Sequence, residues 1–291
     1  MPTLSLAAAG SLWGTGFLFG KIAFAEMSVN ENSAYRFIFG SIALLPVLLR
    51  RRTKFAPGDF KLLLFASIIG VPVQFLIQFK GLSLTTVSHA SLMVGTLPVL
   101  LALSSVVVLH ERLTRIEWAM LSVSAVGAVF IAISHSGSSN GPRATAVGDL
   151  LIVVSMVAAV GMILASKRLM AEYDPLQVTA EMIVIGTVLL LVFVEVTRPV
   201  RFHFAPRVWF AAAAQGILAT CLAYIFWNWG LARVPAARAG VFLNMEPVVG
   251  AILGFVILHE SLGPLALLGG GMIIASAIYF SRPRVHAQAS G

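Results

Sequence analysis

One carboxylate lies in the middle of an apolar stretch that is long enough to cross a membrane. Glu246 is followed directly by Pro247, and no basic residue lies in the core of the same stretch. Ionisable side chains inside a bilayer are costly, so they usually face a cavity or another helix and mark functional sites. Glu246 could bind the amine of a substrate or carry a coupling proton. Alternatively, it is a structural acid that hydrogen-bonds backbone groups left free by the proline.

Aromatic and amide side chains recur at helical spacing in other apolar stretches, as expected for the wall of a ligand cavity. Tyr224, Trp227 and Asn228 share one helix face, although a belt at the lipid interface would give the same pattern. Gln74 and Gln78 share another face, where plain hydrogen bonding between helices is the alternative. The candidate substrate-binding residues are Trp13, Phe17, Gln74, Gln78, His89, Met93, Tyr224, Trp227, Asn228, Asn244 and Glu246.

Three further charges stand out because of where they lie. Arg36 and Glu181 fall inside apolar stretches, but the sequence does not identify their partners. Glu111 closes an apolar stretch, where we expect it to interact with the N-terminus of a helix or with an arginine.

Residues 87–114 recur at an offset of 149 residues, which indicates an internal duplication. Pro98 maps onto Pro247, and Leu109-His110-Glu111 maps onto Leu258-His259-Glu260. Both prolines are predicted to break a helix near its middle, either as gating hinges or as static kinks. The predicted organisation is a first five-helix repeat (1–135), a linker (136–146), a second repeat (147–282) and a disordered tail (283–291).

The composition requires an integral membrane protein, because the chain is 58% hydrophobic and only 11% charged. The apolar stretches are too long for barrel strands, so the fold class is all-α. Ten transmembrane helices are predicted, and since each half holds an odd number, the two repeats are expected to be inverted. The predicted spans are 4–24, 33–49, 62–79, 87–109, 117–134, 147–166, 176–196, 208–231, 236–258 and 265–280.

The basic residues predict the orientation rather than a nucleic-acid partner. With the N-terminus in the cytoplasm, 13 basic residues near span ends face inward and 5 face outward, which favours cytoplasmic termini. No metal, cofactor or enzyme motif is found, since Thr114 and Gly263 stand where a zinc protease needs its second histidine. Small-residue spacings such as Gly10/Gly14 predict close helix packing within a monomer, or in a weak homodimer.

The chain resembles the ten-span EamA-type permeases of the drug/metabolite transporter superfamily. The resemblance lies in the Pro-containing fourth and ninth spans, each ending in a Glu-bearing turn, and in Leu12-Trp13-Gly14 followed by Phe17 and Lys21. It implies a multi-pass carrier of the bacterial inner membrane that exports small metabolites from a central cavity. Within that branch the chain is most similar to exporters of amino acids, aromatic ones in particular. A drug or other metabolite exporter on the same scaffold is the alternative, and a channel is a weaker one.

Overall fold

In the computed structural model, residues 1–50, 54–82, 84, 93–134, 145–197, 201–258 and 263–282 are described, and all regular elements among them are helical. In chain order the helices are α1 (Pro2–Ala23), α2 (Val29–Arg50), α3 (Pro57–Ile68, Ile69–Val73 and Gln74–Leu82), α4 (Leu97–Val108), α5 (Arg115–Ser134), α6 (Ala146–Leu169), α7 (Pro175–Thr197), α8 (Pro206–Ala214, Gln215–Leu222 and Ala223–Leu231), α9 (Ala236–Gly240, Val241–Asn244 and Met245–Leu258) and α10 (Pro264–Ser281).

Seven of these helices, α2, α3 and α6 to α10, are long and apolar enough to cross a membrane. The mean hydropathy of their most apolar windows runs from 1.4 to 2.4, and about half or more of most windows faces away from the protein interior. A helix that is apolar on its outer face as well as its inner face needs lipid around it. The chain is therefore a multi-pass membrane protein, while the count of ten spans stays a prediction.

The central segments of α3 and α8 are π-helical. They cover Ile69–Val73, which contains Pro72, and Gln215–Leu222. Insertions of this kind interrupt the regular bonding of a helix and are frequent at functional sites. The two helices also have equivalent bounds, because Pro57 and Leu82 lie 149 residues before Pro206 and Leu231.

The two prolines of the duplicated stretch open helical segments. Pro98 lies in the first turn of α4. Residues 93 and 94 are also helical and 95 and 96 form a turn, so the expected break lies directly before Pro98. In a first turn the missing N–H costs nothing, since it would have no partner within the helix. Pro247 lies in the first turn of Met245–Leu258, directly after the 3₁₀ turn Val241–Asn244. The helix axis of α9 is thus irregular beside Glu246, as expected.

The main helix contacts come in matching pairs, in which α1 to α5 of one contact correspond to α6 to α10 of the other. Helix α1 packs on α8 and α9, and α6 packs on α3 and α4. Helix α2 packs on α7 and α8, and α7 packs on α2 and α3, while α5 packs on α10. The core therefore lies between the halves, where Phe37, Trp227 and Phe242 are almost fully buried.

Glycines let the first half approach the second at backbone distance. A Cβ atom on Gly10 would lie 2.3 Å from the carbonyl oxygen of Phe242, and one on Gly14 would lie 2.7 Å from that of Glu246. The predicted close packing thus occurs within the chain, between α1 and α9. It places the backbone of Glu246 directly against α1.

We expect Gly14→Val to reduce the free energy of unfolding by about 1–3 kcal/mol, because the new side chain overlaps the backbone of α9. Thermal unfolding of the purified protein in detergent measures the change. Gly271→Val on α10 is the matched control, since a Cβ there meets no atom within 4 Å. Equal losses in the two variants would attribute the effect to helix propensity and not to the α1–α9 contact.

Candidate functional site

Glu246 lies where α9 contacts α1, and its charge interacts with that of Arg36 on α2. Both side chains are half-buried. No ion pair within 4.0 Å joins the two among the described residues. The two groups therefore interact electrostatically within the helix bundle without a direct salt bridge.

Arg36 is the functional candidate that sequence reasoning left without a role. Its Nε donates a hydrogen bond to Thr220 Oγ1 (2.8 Å), and its Nη2 donates to the carbonyl oxygen of Ala219 (3.1 Å). The guanidinium also lies over the rings of Phe37 and Phe75, 5.7 and 5.6 Å from their centroids. The available signal was an arginine in the interior of an apolar stretch, which is rare without a functional reason.

Three aromatic rings pack together beside these charges. The ring centroid of Trp13 lies 5.5 Å from that of Tyr224, edge to face, and 5.4 Å from that of Trp227. Tyr224 interacts electrostatically with both Arg36 and Glu246. Because Tyr224 and Trp227 are only 5% and 1% exposed, they do not form a belt at the lipid interface. We call Trp13, Arg36, Tyr224, Trp227 and Glu246 the central site.

Two of the predicted amides take part in contacts between helices. Asn228 Nδ2 donates to Thr179 Oγ1 on α7, and Asn244 Nδ2 donates to Ser124 Oγ on α5, both at 2.8 Å. Among the described residues, Asn228 Oδ1 is buried and without a hydrogen-bond partner. These side chains therefore fix α8 and α9 against their neighbours.

Of the remaining candidates, Gln74 and Gln78 lie on α3 and Met93 lies before α4. Gln74 is buried, and within the described part of the chain its Oε1 has no hydrogen-bond partner, whereas Gln78 is half-buried. Met93 is half-buried and lies just before α4. Phe17 belongs to α1, but its side chain, like the whole of His89, lies outside the described residues.

A first ionic cluster joins the turn after α1 and the first turn of α2 to the start of α8 and the segment before it. Arg201 Nε donates to Glu31 Oε1 (2.8 Å), and Arg201 Nη2 donates to Glu31 Oε2 (3.0 Å). Glu26 accepts the N–H of Ala205 (2.9 Å) and lies 3.9 Å from Arg207. The carboxylate of Glu31 is only 7% exposed, so its bonds are shielded from water.

A second ionic cluster joins the turn after α4 to the start of α9. Glu111 accepts the N–H groups of the first two residues of α9 (2.7 and 3.0 Å) and lies 3.8 Å from Lys167. The expected contact between Glu111 and a helix N-terminus is therefore present. Arg238 lies 3.3 Å from Glu117 in the same region.

The two clusters lie at opposite ends of α8, which spans 26 residues and hence about 39 Å. Arg207 of the first cluster is the second residue of α8, and Lys167 of the second donates to the carbonyl oxygen of its last residue, Leu231 (3.0 Å). Each cluster connects the first half of the chain to the second. Tyr224 and Trp227 of the central site lie along α8 between the two clusters, nearer to the second.

The fold and the site define a polytopic helical membrane protein with a polar and aromatic centre. The model of the EamA-like transporter family matches residues 2–133 and 146–282. The chain therefore belongs to the EamA-like transporter family and is a membrane transporter, which confirms the resemblance seen in the sequence.

Relatives and a solved structure agree with this assignment. The chain is 25% identical to the uncharacterized transporter YetK of Bacillus subtilis over 93% of its length and 84% of YetK. It is 27% identical to an uncharacterized transporter of Archaeoglobus fulgidus, covering 97% of this chain and 98% of that one. A probable terminal-alkyne amino-acid exporter of Streptantibioticus cattleyicolor is 32% identical over 66% of this chain and 63% of its own. One crystal structure, at 20% identity, superimposes with a TM-score of 0.81 over 96% of each chain.

We expect Glu31→Gln to lower the free energy of unfolding by about 1–2 kcal/mol, since the bonds to Arg201 lose their charge and one acceptor. The solvent exposure of Arg201 limits the effect. Thermal unfolding in detergent at low and high salt checks it. Glu172→Gln, at an exposed position, is the control, and an equal shift in both variants would contradict a stabilising role for the cluster.

Proposed function

We propose that this transporter is a secondary carrier that exports amino acids or similar small metabolites from the central site. The observation that carries the proposal is Glu246, an intramembrane carboxylate that forms no direct ion pair within the described part of the chain. It interacts electrostatically with Tyr224, and the rings of Tyr224 and Trp227 both pack on Trp13. An ammonium group fits such a carboxylate, and aromatic rings suit both cations and apolar side chains. The Streptantibioticus relative, a probable terminal-alkyne amino-acid exporter, supports amino acids as the substrate class.

We further propose that the chain is built from two inverted five-helix repeats, residues 1–135 and 147–282. Two observations support this. Helices α3 and α8 begin 149 residues apart and also end 149 residues apart, and the main contacts between two helices have counterparts between the matching helices of the other half. Matching contacts of α2 with α8 and of α7 with α3 support it too. A Cβ on Gly40 would meet Thr220, and one on Gly186 would meet Val71, 149 residues before Thr220. The next residues, Ser41 and Thr187, hydrogen-bond to each other (2.8 Å), as equivalent residues beside a twofold axis would.

Such an arrangement suits alternating access, because one site between two repeats can open to either side in turn. The two ionic clusters are candidates for the contacts that close each end. Pro98 and Pro247 are candidate hinges, and the other predicted substrate-binding residues keep that role as part of the proposal. We also propose that the carrier lies in the inner membrane of a bacterial cell and that both of its termini face the cytoplasm.

Counterflow in proteoliposomes tests the proposal. Vesicles loaded with one amino acid should take up labelled amino acid against its gradient, with saturation and mutual competition among amino acids. Export of cationic drugs without competition by any amino acid would favour the alternative drug exporter. Ohmic single-channel currents would contradict a carrier.

We expect Glu246→Gln to reduce amino-acid counterflow about 10- to 100-fold, because the ammonium group loses a charged partner. Glu181→Gln is the matched control, since Glu181 is also intramembrane but accepts a hydrogen bond from Gln177 Nε2 (2.9 Å). Reconstitution levels and melting temperatures should be compared for both variants. An equal loss of transport in the control would remove Glu246 from the site.

A further inference from the structure

We propose that Arg36 is the receptor for a substrate carboxylate, so that the central site selects zwitterions that carry an ammonium and a carboxylate group. This inference rests on the proposed function and names its substrate class more narrowly. It assigns the ammonium to Glu246, the carboxylate to Arg36 and the apolar or aromatic side chain to the rings of Trp13, Tyr224 and Trp227.

The guanidinium of Arg36 is held along one edge and open along the other. Nε and Nη2, which point to the same side of the group, donate to Thr220 and to the carbonyl oxygen of Ala219. The opposite edge consists of Nη1 and the second hydrogen of Nη2, and no described residue accepts from Nη1. Two parallel N–H groups on one edge match the two oxygens of a carboxylate.

The orientation of this fork is fixed by close packing between α2 and α8. Thr220 is fully buried, and glycines on both helices let the two backbones approach closely at this point. A Cβ on Gly40 would lie 2.8 Å from Thr220, and one on Gly216 would lie 2.6 Å from the carbonyl oxygen of Arg36. Thr220 is therefore a positioning residue, which aims the guanidinium without contacting the substrate.

Charge balance favours a zwitterion over either a plain amine or a plain acid. Arg36 hydrogen-bonds to Thr220, one turn before Tyr224 on α8. The Tyr224 ring packs on Trp13, whose neighbour Gly14 contacts the backbone of Glu246. Arg36 and Glu246, both among the described residues, form no direct ion pair with each other, so each can pair with a charge of the ligand. An amine would satisfy Glu246 and leave Arg36 facing a neutral group, and an acid would do the reverse. Because unpaired charges are expensive in an apolar bundle, only a ligand with both charges satisfies both residues.

The test compares competitors that differ in one group only. Proteoliposomes carry out counterflow of labelled phenylalanine in the presence of phenylalaninamide, phenethylamine or 3-phenylpropionate. We expect each competitor to be about 10- to 100-fold weaker than unlabelled phenylalanine, since each lacks one charged contact. An amide that competes as well as the amino acid would overturn the role of Arg36.

Three substitutions test which residues cause the preference for phenylalanine over its amide. Arg36→Gln should abolish the preference for phenylalanine over its amide, whereas Glu246→Gln should keep it. Thr220→Val, which preserves shape but removes the acceptor, should raise the KM for phenylalanine about tenfold with little change in kcat. Retention of the amino acid/amide preference in Arg36→Gln would contradict the assignment, and so would an equal loss for both compounds.

Two results separate this inference from the proposed function. If the wild-type protein exchanges no amino acid at all, amino-acid export fails, and the carboxylate receptor fails with it. If it exchanges phenylalanine but accepts the amide equally well, export stands and only the assignment of Arg36 is lost. Ligand-induced thermal stabilisation of the detergent-solubilised protein by the same four compounds gives a second readout, for use if the Arg36 variant is unstable.

Discussion

Charged side chains in an apolar bundle must meet polar partners, and in this chain those partners come largely from the other half of the sequence. Arg36 of the first half is held by Thr220 and Ala219 of the second. Glu111 of the first half accepts the first N–H groups of α9. Since each such contact spans the interface, the halves cannot separate completely without exposing charge to lipid. They can only rearrange relative to each other.

The same constraint explains why the glycines and the π-helical segments occur together. A side-chain charge on one helix can reach the backbone of another only where small residues let the helices approach. Gly40 and Gly216 provide that approach between α2 and α8, and the π-helical segment Gln215–Leu222 supplies the carbonyl of Ala219 to Arg36. The close packing of α2 on α8 thus brings a backbone acceptor within reach of an intramembrane arginine.

Hydropathy predicted the helices well, because burial in lipid is a property of each stretch by itself. The predicted ninth span, 236–258, has the bounds of α9, and the eighth differs from α8 by two residues at its start. The partner of Arg36 could not be predicted in this way. Thr220 lies 184 residues away in sequence, and helical periodicity identifies a face without identifying the helix that it meets. For the same reason the sequence did not show that Asn228 and Asn244, which stay predicted substrate contacts, also hydrogen-bond to neighbouring helices.

The central site breaks the symmetry that its scaffold suggests. If Gly40 and Gly186 are equivalent, then Met182, four residues before Gly186 as Arg36 is before Gly40, is the counterpart of Arg36. Val71 is the counterpart of Thr220, and Leu97 that of Glu246, so one copy is polar where the other is apolar. A duplicated frame can rock between two equivalent conformations, but a ligand with an ammonium at one end and a carboxylate at the other is itself asymmetric. The proposed receptor for such a ligand therefore consists of residues that the two proposed repeats do not have in common.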